Sequence, residues 1–139
     1  MSYQHPLSGL AISKHVVNVA SVPQRSPFRY PGGKTWLVPY IRQWLHSLPE
    51  KPTELIEPFA GGAIVGLTAA FEDLADHVLL IEIDEMVAAV WKTILNNKGE
   101  WLADAIAQFN LTLPNVAQLL SIANPSLKEQ ALQTIVKNR

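Results

Sequence analysis

The sequence contains no cysteine. Neither a disulfide framework nor a thiolate metal site is available to it, and the redox compartment is left open. No apolar run approaches the ~20 residues that a membrane span requires. The start of the chain has no charged region followed by an apolar block and a small-residue cleavage site. No membrane association is expected, and a cytoplasmic location is the default. Basic residues are not in excess: 11 Lys and Arg stand against 12 Asp and Glu, for a net charge of −1. Binding of nucleic acid by bulk electrostatics is therefore not expected, although a local basic face is compatible with this balance. His5, His15, His46 and His77 are scattered without metal-ligand spacing, so no metal site is expected either. Internal repeats and low-complexity tracts are absent as well.

What is present is one domain's worth of core: 139 residues, 48% hydrophobic and 17% charged. Residues 1–25 have some β-branched character without clean alternation and are taken as an N-terminal arm. From Thr35 onward Leu37, Ile41, Trp44, Leu45 and Leu48 fall on one helical face, closed by Pro49 and Pro52. Glu54 to Phe59 (ELIEPF) has the composition of a short buried strand running into a tight turn of small residues. Ile64 to Phe71 is helical in composition. His77 to Ile83 (HVLLIEI) is a nearly continuous apolar run, expected to be a strand covered on both faces. Asp84 caps a helix over Glu85 to Leu95, which Asn96, Asn97 and Gly99 end. Strand, glycine turn, helix and strand make a βαβ unit with a right-handed crossover in a parallel sheet. After Gly99 three helical patterns follow, punctuated by Pro114 and Pro125. The last of them runs to the final KNR with no glycine stop, as though cut within an element.

Two loops invite a ligand. In FRYPGGKTW, Phe28 to Trp36, a Gly-Gly-Lys-Thr run suggests a Walker phosphate loop. The position that would need the first glycine is held by Phe28, and no buried strand precedes it, so the phosphate reading fails. A Pro-Gly turn that introduces a helix accounts for the local chemistry as well as a ligand role does. It does not account for an aromatic, a lysine and flexible backbone side by side. The second loop is EPFAGGA, Glu57 to Ala63. Its glycines let backbone N–H groups approach a ligand while the helix N-terminus offers partial positive charge. Glu82 stands 21 residues beyond Gly61, where a Rossmann-like fold puts the carboxylate that accepts bonds from ribose hydroxyls. The adjacent Gly61 and Gly62, with Gly66 further on, depart from the dinucleotide fingerprint. Nucleoside binding is therefore favoured over NAD binding, and over glycines that serve only helix packing.

PFRYPGGK, EPFAGGA and the strand-end acid of LLIEID, in that order, closely resemble the N-terminal half of Dam-type DNA adenine-N6 methyltransferases. The resemblance is strong over about Ser26 to Leu95 and continues more weakly beyond. It implies an α/β fold, a partial Rossmann-like S-adenosylmethionine-dependent methyltransferase core over residues 26–99. The helical segment 100–139 would begin the family's DNA-recognition insertion. It places Tyr30, Gly32, Gly33 and Lys34 near the methionine portion of S-adenosylmethionine. Pro58, Phe59, Ala60, Gly61 and Gly62 would lie around the body of the cofactor, Glu82 on the ribose, and Ile83 and Asp84 beside the adenine.

The chain departs from the family pattern in three places. The turn reads Phe59-Ala60-Gly61-Gly62-Ala63 where relatives often have F-x-G-x-G, and Glu82 stands where many have Asp. The family's Asp-Pro-Pro-Tyr catalytic motif does not occur in the 139 residues. No catalytic residue is therefore assigned. The resemblance implies methyl transfer to a flipped adenine of double-stranded DNA in a complete enzyme, with this chain as the cofactor-binding portion, truncated and inactive alone. The competing reading is a non-catalytic module that binds a nucleoside cofactor or packs on a partner. Two strands leave open sheet edges, so missing strands, a complementing chain or a second copy are expected to cover them.

Overall fold

The computed structural model describes residues 19–29 and 33–139. A short 3-10 turn over Lys34–Leu37 leads into helix α1, Val38–Ser47, with Pro39 in its first turn. Proline is tolerated there because the first helical N–H groups have no partner within the helix. Strand β1, Glu54–Pro58, helix α2, Ile64–Phe71, and strand β2, His77–Ile81, form the expected β–α–β order. The strands are parallel, with Glu54 opposite His77 and Pro58 opposite Ile81. Ala60 N–H extends the ladder past the strand end by donating to Ile81 C=O at 2.8 Å. The fold is thus α/β, with helices packed on one face of a short parallel sheet among the described residues.

Helix α2 is apolar nearly all round, and Ile64, Val65, Gly66, Thr68 and Ala69 are buried. Such a helix has to be covered on most sides. It lies against the sheet on one side, and Val65 joins Val22, Val38 and Ile64 in a cluster on the α1 side. Gly66 is what permits the close approach to the sheet. A Cβ there would stand 2.6 Å from Leu80 Cδ2, 2.8 Å from Glu57 Oε2 and 3.0 Å from Val78 Cγ1.

Helix α3, Glu85–Thr93, begins at Asp84, whose carboxylate accepts from Met86 and Val87 N–H. An irregular turn over Ile94–Lys98 joins it to α4, Gly99–Gln108. The left-handed residue at this turn is Asn97, with φ of 59°, whereas Gly99 starts α4 in ordinary helical conformation. Asparagine tolerates that region because its short side chain bonds locally. Helices α5, Leu113–Leu120, and α6, Leu127–Lys137, complete the chain. A capping box of Ser126 and Glu129 opens α6, and Asn138 is its C-cap, so the last helical pattern stops short of the final residue. Helix α6 packs along α3. Ala131 and Ile135 share one core cluster with Val87, Val90, Trp91 and Phe28.

Two expectations for the second strand need correction. β2 ends at Ile81, so Glu82 and Ile83 lie beyond it. It is also covered on one face among the described residues. Leu55, Glu57, Val78 and Leu80 alternate toward the helices, while Ile56, Leu79 and Ile81 point the other way and are each almost half exposed. A continuous apolar run marks a strand fit to be covered twice, but coverage depends on what packs there, and no described helix lies on that side.

Candidate functional site

The site grows from the end of β1. Pro58 closes the strand, and the chain reverses through Phe59 at φ 56°, Gly61 at φ 51° and Ala63 at φ 51°. Two of these three left-handed residues carry a side chain, which costs free energy and concentrates at ligand-binding turns. Ala60 and Ala63 are fully buried, and Phe59 is 79% exposed. Ala63 N–H donates to Ala60 C=O at 2.7 Å, and Ala63 serves as the N-cap of α2.

Lys34 meets this turn from the other loop. Its ammonium donates to Phe59 C=O at 2.9 Å and stands 2.6 Å from Glu57 Oε1. Glu57 is 4% exposed. The contact at Oε1 is an ion pair without regular hydrogen-bond angles. Oε2 accepts Gly66 N–H at 2.7 Å. A carboxylate of β1 thus occupies part of the α2 N-terminus, so the partial positive charge expected to face a ligand is partly met from within.

Glu82 reaches back to the same turn. Its Oε2 accepts Gly61 N–H at 2.7 Å and its Oε1 accepts Asp84 N–H at 2.9 Å. An ionised carboxylate has about four acceptor sites, so two bonds leave acceptor capacity on a half-buried group. Asp84 is occupied as the α3 cap, and Ile83 is 86% exposed.

A cavity of about 890 Å³ opens between the two loops. Its walls are Gly33, Lys34 and Thr35 from one side and Phe59 to Ile64 from the other, with Gln24, Ser26 to Arg29 and Arg139 around them. Of the twelve residues expected at a site, Gly33, Lys34, Phe59, Ala60, Gly61 and Gly62 line this cavity. Pro58, Glu82, Ile83 and Asp84 do not, although Glu82 is tied to its wall through Gly61. Tyr30 and Gly32 lie outside the described residues. Among the described residues no group of three or more His, Cys, Asp or Glu side chains could hold a metal ion, and no helix is long and apolar enough to cross a membrane.

The two motifs that sequence spacing paired thus face each other across one cavity. A family model, D12 class N6 adenine-specific DNA methyltransferase, matches residues 30–133. The chain belongs to this family. No curated protein and no solved structure matches it. The match to the D12 class runs from the first loop through the turn and into α6, so it takes in nearly all of the described fold. The family is one of enzymes that transfer a methyl group to adenine in DNA.

Several residues that shape this cavity were not singled out for it by sequence. Glu57 opened the EPFAGGA loop but was given no role of its own. Gly66 stood apart from the Gly61-Gly62 pair. Trp91 sat on an apolar helical face, with nothing to show that its indole N–H would reach Gly61 C=O at 2.8 Å. Asn138 carried no signal, yet its side chain accepts Arg29 N–H at 2.8 Å and donates to Arg29 C=O at 3.3 Å, holding the cavity-lining loop.

Proposed function

We propose that residues 26–99 of this D12-class chain form a partial Rossmann-like core that binds S-adenosylmethionine for adenine-N6 methylation of double-stranded DNA in the cytoplasm. The observation that carries the reading is the single cavity walled by both glycine loops, with Glu82 hydrogen-bonded to one wall through Gly61. Its volume falls within the ~300–1,000 Å³ typical of cofactor pockets.

The donor set suits the cofactor. Backbone at Gly33, Gly61 and Gly62 admits close approach, and Lys34 with Tyr30 and Gly32 would hold the methionine portion. Glu82 would accept the ribose hydroxyls with its remaining lone pairs. Pro58, Phe59 and Ala60 would flank the body of the ligand, and the exposed Ile83 with Asp84 would border the adenine. When bound, S-adenosylmethionine supplies a sulfonium methyl that is transferred directly. This chain's residues orient it and exclude water, and none of them is assigned as an acid or base.

The lack of Asp-Pro-Pro-Tyr favours a second element of the reading: these 139 residues bind cofactor without completing transfer. Residues 100–139 would begin the DNA-contacting segment, a role resting on the family resemblance. Calorimetric titration with S-adenosylmethionine, NAD and ATP tests the proposal. Heat with the first alone is expected, with affinity reduced about tenfold, or ~1.4 kcal/mol, in Glu82→Ala. No heat with S-adenosylmethionine overturns the cofactor site. Methylation of adenine by the purified chain overturns the second element.

A further inference from the structure

We propose that Trp91 is the positioning residue that couples two segments of the cavity lining, holding the Gly61 turn and the Phe28 loop in one register. The role is stated for the S-adenosylmethionine site and rests on that reading. Trp91 lies on α3, 6% exposed, in the core cluster that α6 closes with Ala131 and Ile135. Its base is therefore rigid. Its indole Nε1–H donates to Gly61 C=O at 2.8 Å. Its ring packs against Phe28, with centroids 5.9 Å apart and planes tilted by 56°, a geometry aromatic pairs favour.

Gly61 needs such a tether. Its φ of 51° is left-handed, and a Cβ built there would find only Phe59 C=O, 3.9 Å away. Few atoms pack against the Cα of Gly61, and two polar contacts hold its backbone N–H and C=O. Glu82 takes its N–H and Trp91 holds its C=O. Reorientation of the turn would break both bonds and move the wall that Gly61 and Gly62 present. Phe28, 3% exposed, lies on the segment Ser26 to Arg29 that completes the cavity lining beside the Lys34 loop. One side chain thus touches both segments, and of the aromatic residues only tryptophan offers a broad ring together with an N–H at its flank.

Trp91→Phe keeps a ring in the core and removes the N–H. The test compares it with the unmutated chain and with Trp101→Phe, which trims a partly buried tryptophan packed on the same cluster that lies outside the cavity wall. Amide hydrogen exchange is measured without ligand, thermal unfolding alongside it, and S-adenosylmethionine affinity by calorimetry. In Trp91→Phe, exchange at Gly61 and Gly62 and in the Phe28 loop is expected to quicken about tenfold. Affinity should fall about tenfold while α2 and α6 keep their protection. Trp101→Phe is expected to leave both loops and the affinity unchanged. Unaltered exchange at both loops in a folded Trp91→Phe, or equal losses in Trp101→Phe, overturns the proposal. Failure of the unmutated chain to bind S-adenosylmethionine overturns the cofactor reading instead. The ligand-free exchange data then still decide whether Trp91 holds the two segments.

Discussion

The ion pair of Lys34 and Glu57 shows how one residue's meaning depends on its partner. A lysine in a glycine loop reads as a cation offered to a ligand. Here its ammonium donates to Phe59 C=O and is ion-paired with Glu57, so much of its charge is met from within the fold. Glu57 is the more deeply buried member, with side-chain exposure of 4% against 31% for Lys34. Removing one partner of a buried pair strands the other's charge, at a cost of about 3–5 kcal/mol when both are buried. With Lys34 partly solvated, Lys34→Ala should destabilise the fold by roughly 2 kcal/mol, most of it from the abandoned Glu57. Neutralising that carboxylate should return part of the loss. The Lys34→Ala/Glu57→Gln double variant is expected to be more stable than the sum of the singles by about 1 kcal/mol in urea unfolding. Additivity within ~0.5 kcal/mol would show the pair to be inert. The measurement separates the structural share of Lys34 from any share in cofactor binding.

At the scale of elements, α1, α2 and the segment before the first loop are joined by one acid. Glu72, just past α2, receives both Nε and Nη2 of Arg42 from α1, at 2.6 and 2.7 Å. Arg25 Nη1 donates to it at 3.3 Å while lying over the Phe71 ring at 5.2 Å. The fork of hydrogen bonds from Arg42 holds the Glu72 carboxyl below its ordinary value of 4.5, with Arg25 adding to the shift. A carboxylate whose folded pKa is depressed contributes stability that is present above the unfolded pKa and lost as pH falls through the folded one. The thermal midpoint should therefore decline as pH drops below about 4.5, and Glu72→Gln should have a lower midpoint at pH 7 and a flatter acid limb. Parallel curves for the two proteins would remove Glu72 from the account of acid stability. Helix boundaries followed local chemistry closely: α2 occupies the expected Ile64–Phe71, and Asp84 caps α3 as expected. The salt bridge across α1 and α2 was not legible. Its members are 30 residues apart, and nothing in either helical pattern names the other.

At the scale of the whole molecule, the described residues form an unbalanced sheet. Two parallel strands have one face packed on α2, and the opposite face presents Ile56, Leu79 and Ile81. A two-stranded sheet with unpaired edges and an apolar face tends to associate. Sedimentation of the 139-residue chain is expected to give a mass above 15.4 kDa, and Leu79→Lys should return it to a monomer. A monomer at all concentrations, with Leu79→Lys indistinguishable from it, would contradict this expectation.

The sequence by itself determined the β–α–β order, the extent of α2, the Asp84 cap of α3 and the pair of glycine loops. These depend on periodicity, capping and turn chemistry, which act over a few residues and leave their pattern in the chain. Only the tertiary structure decided that Glu57 occupies the α2 N-terminus, that Trp91 and Glu82 share the Gly61 peptide, that Asn138 holds Arg29 from 109 residues away, and that one face of β2 is left open by the described residues. The reason is physical: a residue's type limits what it can bond or bury, while which partner meets that need is settled by packing between distant segments.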